Sequence, residues 1–69
     1  MKLKEIRLSK HITQYKLSEI SGISHTAVAA IERGQKSPTL NTLTKLASAL
    51  GVSISELIGE DYQEKEVRR

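Results

Sequence analysis

The chain has 69 residues, no cysteine, two histidines and a net charge of +3, with a pI of about 9.5. That length allows one domain with one small core, burying about 60% of the surface of the unfolded chain. It leaves no room for a deep substrate cleft, and the absence of cysteine excludes disulfides and thiolate metal sites and is compatible with a cytosolic protein.

Charge is unevenly spread. Residues 1–53 hold eight Lys/Arg against three Asp/Glu, and residues 54–69 hold three against five. The balances are +5 and −2. They suggest a basic surface for a polyanion beside an acidic end, although ordinary surface scatter would look much the same. The only aromatics are two tyrosines. Stacking platforms for single strands need more than that, so duplex DNA is the better polyanion. No apolar run reaches the roughly 20 residues of a membrane span. The opening MKLKEIRLSK is charged throughout and lacks a signal-peptide core.

Apolar residues recur at spacings of three and four, and no segment alternates like a strand, so the chain reads as all-α. A first helix is expected over residues 2–10, with Leu3, Ile6 and Arg7 on one face and Leu8 off it. His11, Ile12 and Thr13 interrupt it. Thr13 caps a second helix over residues 14–21, whose apolar positions are Leu17 and Ile20. Gly22 supplies the positive φ that a helix end commonly needs.

Ser24 caps a third helix over residues 25–33, with Val28 and Ile31 inward and Ala27, Ala29 and Ala30 raising helix propensity. Gly34 and Pro38 bound a loop. Thr39 caps a fourth helix over residues 40–50, with Leu40, Leu43, Leu46, Ala47 and Leu50 as its apolar stripe. Ser53 and Glu56 form a capping box for a short fifth helix ending near Ile58. The domain is thus expected at residues 1–59, followed by a charged tail at 60–69.

The second and third helices with their short turn form the organising unit. For Leu17, Ile23, Val28 and Ile31 to meet one core, the two helices must cross steeply. Ser18, Ser21 and Ala27 are small enough to allow it. The outer face of the third helix then carries His25, Thr26, Ala29, Ala30 and Arg33. A helix of that width fits the major groove of B-DNA.

The stretches TQYKLSEISGIS, IERG and SPTLNTLTKLASALGVSISELI closely resemble the Cro/repressor-type (XRE-like) helix-turn-helix family of phage and bacterial regulators. The resemblance covers about residues 2–59. It implies a compact five-helix, lambda-repressor-like DNA-binding domain with the helix-turn-helix at helices two and three.

By position, the resemblance implies base contacts at His25, Thr26, Ala29 and Ala30, where His25 and Thr26 could equally touch a phosphate. Alanine offers only contact with a thymine methyl, so recognition would be poor in hydrogen bonds and lean on DNA shape. Gln14 matches the position that holds a phosphate at a helix N-terminus. Arg33, Gln35, Lys36 and Ser37 should approach the backbone, with Lys16 and Asn41 as further candidates. The plainer reading of each is a solvated surface residue. Arg7 and Glu32 match a partly buried structural ion pair.

Two residues depart from the family pattern. His11 stands where Gly or Asn is usual, so a positive φ would strain it. Ser21 replaces a usual Ala and needs a backbone partner for its hydroxyl.

The resemblance further implies a homodimer on a palindromic operator, through Leu57, Ile58 and Tyr62, with Val67 also available; Leu57 is partly needed for the core, so the patch is small. Its partners are then double-stranded DNA and a second copy, with room for a protein anti-repressor and none for a membrane. The location implied is the bacterial cytoplasm, on the nucleoid when bound. No cofactor or metal is implied. The function expected is a sequence-specific transcriptional regulator, more a repressor than an activator. A protein-interaction module that kept the fold without DNA binding is the alternative. An enzyme is excluded by the lack of any nucleophile–base pair, carboxylate pair or ligand cluster.

Overall fold

The computed structural model describes residues 1–59 as five α-helices: α1 Leu3–Ser9, α2 Gln14–Ser21, α3 His25–Glu32, α4 Leu40–Leu50 and α5 Ile54–Ile58. No strand occurs among the described residues. The acidic tail lies outside them.

Four of the five helices begin on a side-chain cap. The hydroxyls of Thr13, Ser24, Thr39 and Ser53 accept from the backbone N–H of Lys16, Ala27, Thr42 and Glu56, at 2.9 to 3.1 Å. The Ser53 backbone N–H donates back to Glu56 at 2.9 Å, which completes the capping box. Each bond satisfies an N–H that the first turn of a helix leaves orphaned.

Helix ends use the left-handed conformation. After α1, the N–H of Ile12 donates to Arg7 O and that of His11 to Leu8 O, closing a Schellman motif. The residue at its left-handed position is His11, with φ +59°, the one non-glycine with positive φ among the described residues. Gly34 holds the equivalent place after α3, and Gly51 after α4. The strain expected of His11 is therefore present.

The core is aliphatic. Leu3, Leu17, Val28, Ile31, Leu43, Leu46, Ala47, Leu50 and Leu57 are all buried in one cluster, with Ile6, Ile12 and Ile23 packed against it. Each fully buried leucine contributes about 1.5–3 kcal/mol relative to exposure. Two expected apolar positions are not in this core. Ile20 is 45% exposed on α2 and Leu40 is 69% exposed at the start of α4, so the α4 stripe begins at Leu43. Spacing gives the phase of a helix face but not how far the neighbouring helix extends over it.

One ionic group is buried with the leucines. Arg7 on α1 and Glu32 on α3 have side chains 7% and 3% exposed. Arg7 Nε donates to Glu32 Oε2 at 2.6 Å and Nη2 to Oε1 at 3.1 Å, a bidentate pairing. Arg7 Nη1 donates to the Ile12 carbonyl at 2.8 Å. Arg7 therefore ties α1 both to the end of α3 and to the connector leading into α2. Burial alone would raise the Glu32 pKa. The hydrogen bonds from Arg7 and Gln14, with the charges of Arg7 and Lys4, outweigh it and hold the carboxyl below its usual range. The Arg7 guanidinium is pushed up, chiefly by its hydrogen bond to Glu32, against desolvation.

Candidate nucleic-acid interface

The turn between α2 and α3 is built by four residues, Ser21 to Ser24. Gly22 takes φ +77° and its N–H caps α2 on Ser18 O at 3.0 Å. Ser21 Oγ accepts from the Ile23 N–H at 3.1 Å, the backbone partner its hydroxyl needed. Ile23 turns onto the core and Ser24 starts α3. Val28 and Ile31 are buried on the inner side of α3, at 0% and 6% exposure. Its other side is open. His25 and Thr26 are exposed, and Ala29 and Ala30, one turn further on, are half-buried. The four expected base-contact residues thus share one surface. The two alanines form a shallow apolar floor and the two polar side chains stand at its leading end.

The expected phosphate-contact residues are arranged less uniformly. Gln14 is half-buried at the first position of α2, and its Nε2 donates to Glu32 Oε1 at 3.0 Å. One of its two amide N–H groups is thereby committed to the Arg7–Glu32 group. The second N–H and the carbonyl oxygen are the parts left for a phosphate. Lys16 is exposed and its Nζ lies 3.7 Å from Glu19 Oε1, a solvated pair one turn apart. Arg33 is exposed at the C-cap of α3 rather than within it, and its Nε donates to Gln35 Oε1 at 3.1 Å. Gln35 is itself fixed, since its N–H donates to Ala30 O at 2.9 Å. The side-chain bond to Gln35 leaves the outer guanidinium nitrogens of Arg33 uncommitted to it. Lys36 and Ser37 are exposed in the following loop, and Asn41 is exposed in the first turn of α4.

Tyr15 is a residue that its sequence position did not single out. It is 65% exposed in the first turn of α2, and its ring centroid lies 6.3 Å from that of His25, tilted by 56°. The signal available was an aromatic in a chain with two, placed beside the anion-holding end of a helix.

The expected dimer residues are revised. Leu57 is 0% exposed and belongs to the core, so it has no surface to offer a second copy. The α1–α5 contact encloses it, with the Lys2 N–H donating to the Leu57 carbonyl at 2.8 Å. Ile58 is half-buried at the end of α5, and Tyr62 lies outside the described residues. Among the described residues no helix is long and apolar enough to cross a membrane, and no cluster of His, Cys, Asp or Glu could hold a metal.

Comparison with known proteins matches residues 3–57 to the family described as Helix-turn-helix. The HTH-type transcriptional regulator PuuR of Escherichia coli is 39% identical over 59 residues, 86% of this chain and 32% of the relative. The immunity repressor protein of Bacillus phage phi105 is 38% identical over 65 residues, 94% of this chain and 45% of the relative. The control protein C.SmaI of Serratia marcescens is 36% identical over 56 residues, 81% of this chain and 67% of the relative. The chain thus spans a third to two thirds of the length of these relatives. No solved structure matches it. With the family match covering most of the chain and the helix-turn-helix geometry in place, the chain belongs to the Cro/repressor-type helix-turn-helix family of phage and bacterial transcriptional regulators.

Proposed function

We propose that this chain is a sequence-specific double-stranded-DNA-binding transcriptional regulator, a repressor, that acts as a homodimer on a palindromic operator in the bacterial cytoplasm. The observation that carries the reading is the open face of α3. His25, Thr26, Ala29 and Ala30 share a surface that the core leaves uncovered, and Gln14, bonded to Glu32, stands near the end of α3 that Arg33, Lys36 and Ser37 follow. Helix α3 enters the major groove with its N-terminal residues at base edges. His25 and Thr26 supply the hydrogen bonds, and the alanines approach thymine methyls. Gln14 and the loop after α3 grip the phosphates, with Lys16 and Asn41 beside them. That grip positions the helix and makes affinity fall with salt. A repressor role is supported by relatives such as the phage immunity repressor.

One such head touches only a few base pairs. A twofold dimer doubles the contacts and sets two half-sites about 34–36 Å apart. Of the residues expected at that contact, Ile58 at the end of α5 is the described one with surface to offer.

Selection of bound sequences from a random duplex pool tests the proposal. Enrichment of an inverted repeat with centres about one helical turn apart is expected. Enrichment of a single unpaired half-site overturns the dimer. Absence of any salt-sensitive binding overturns DNA recognition and leaves a protein-interaction module on the same fold.

A further inference from the structure

We propose that Tyr15 is the positioning residue for His25, so that the base preference read by His25 is set jointly by α2 and α3. This rests on the DNA-binding reading above. The two residues are ten apart in sequence and stand on different helices, yet their rings lie 6.3 Å apart between centroids, tilted by 56°. Both are exposed, Tyr15 at 65%. Burial in the core therefore does not account for the contact. Tilted aromatic pairs at this separation attract one another through edge-to-face geometry.

The position of His25 makes that contact consequential. It is the first residue of α3, and side chains on a helix lean back toward its N-terminus. At the first position that lean carries the imidazole over the turn and toward α2, away from the bases ahead. Tyr15 occupies the space on the α2 side. Its ring limits the backward sweep of the imidazole and narrows the set of rotamers from which a nitrogen reaches a base edge. A base contact made by a side chain already held in place loses less rotamer freedom on binding. The effect depends on the tyrosine ring, not on its hydroxyl.

The test compares base preference at every half-site position for the intact chain, Tyr15→Phe, Tyr15→Ala, His25→Ala and the double variant Tyr15→Ala/His25→Ala. Competitive binding to single-base variants of the selected duplex gives the readout. The ring signals of His25 are followed by NMR in the DNA-free protein. Tyr15→Ala is expected to lose about three- to tenfold of the preference at the one position that His25→Ala also abolishes. The double variant loses no more than His25→Ala alone, and Tyr15→Phe retains the preference. In the free protein the His25 ring signals move in Tyr15→Ala and stay near their places in Tyr15→Phe.

Equal loss of affinity for all sequences in Tyr15→Ala or Tyr15→Phe overturns the proposal and makes Tyr15 a phosphate contact. Additive losses in the double variant, or unmoved His25 signals, also overturn it. If the intact chain discriminates no sequence, the sequence-specific reading falls. The NMR arm then shows separately whether the ring contact exists.

Discussion

Replacing Arg7 by alanine tests whether the buried ion pair sets the helix arrangement. The Arg7 and Glu32 side chains are 7% and 3% exposed. Arg7 donates three hydrogen bonds, two to Glu32 and one to the Ile12 carbonyl. Removing it strands a buried carboxylate whose one remaining described hydrogen bond comes from Gln14. Breaking a buried pair in this way costs about 3–5 kcal/mol. Small domains have a total stability of about 5–15 kcal/mol, and a chain of this size sits at the low end, so most of its stability is at stake. Lys4→Ala on the exposed side of α1 is the control and leaves the midpoint nearly unchanged. Joint replacement of Arg7 and Glu32 by apolar residues of similar volume recovers most of the loss, because neither charge is then stranded. Urea unfolding followed by circular dichroism measures the midpoint and slope of each variant. Equal midpoints for Arg7→Ala and Lys4→Ala would show that the ion pair does not hold the helices in place.

The same pair fixes a pH response. Glu32 has its folded pKa below the usual carboxyl value. Its contribution is therefore complete above the unfolded value of about 4.3 and is lost as pH falls through the lower folded value. Glu32→Gln should lower stability at neutral pH and flatten its fall below about pH 4.3, since the titrating carboxyl is gone, and urea midpoints measured across the acid range check it. His11→Gly should stabilise. Relieving a left-handed non-glycine residue is worth about 1–2 kcal/mol, and the added freedom of the unfolded chain takes back about 0.5–1. A net gain of about 0.5–1 kcal/mol raises Tm by about 2–8 °C, while His11→Ala, which keeps the strain, gives no such gain. Leu57→Ala should cost about 2–5 kcal/mol whatever the protein concentration. Ile58→Ala should instead weaken self-association, as sedimentation will show. Lys36→Ala should weaken binding to all duplexes alike and lower the salt slope by about one unit.

Local features of the fold were legible in the sequence because their chemistry is local. Thr13, Ser24, Thr39 and Ser53 each cap the helix expected of them, since a hydroxyl just before an apolar-periodic run has its N–H partner three residues on. Gly22 and His11 take the positive φ expected from their places at helix ends. What depends on distant parts of the chain was less legible. Ile20 and Leu40 lie in phase with buried neighbours, yet no other helix covers them. Leu57 reads as shared between the core and a dimer contact, and it is wholly buried, with the Lys2 N–H on its carbonyl. At the candidate site, the face of α3 follows from periodicity. The bond from Gln14 to Glu32 and the contact of Tyr15 with His25 join residues 18 and 10 apart, and no spacing rule encodes either.

The proposed DNA contact covers the open face of α3, the start of α2 and the loop after α3. Amide NMR of the labelled chain, titrated with its selected duplex at moderate salt, tests it most directly. Shifts are expected to concentrate at Gln14 and Tyr15, along His25 to Ala30, and from Arg33 to Ser37, with α5 and the core leucines little changed. Shifts centred on α5 or the outer face of α1, with α3 unmoved, would contradict it.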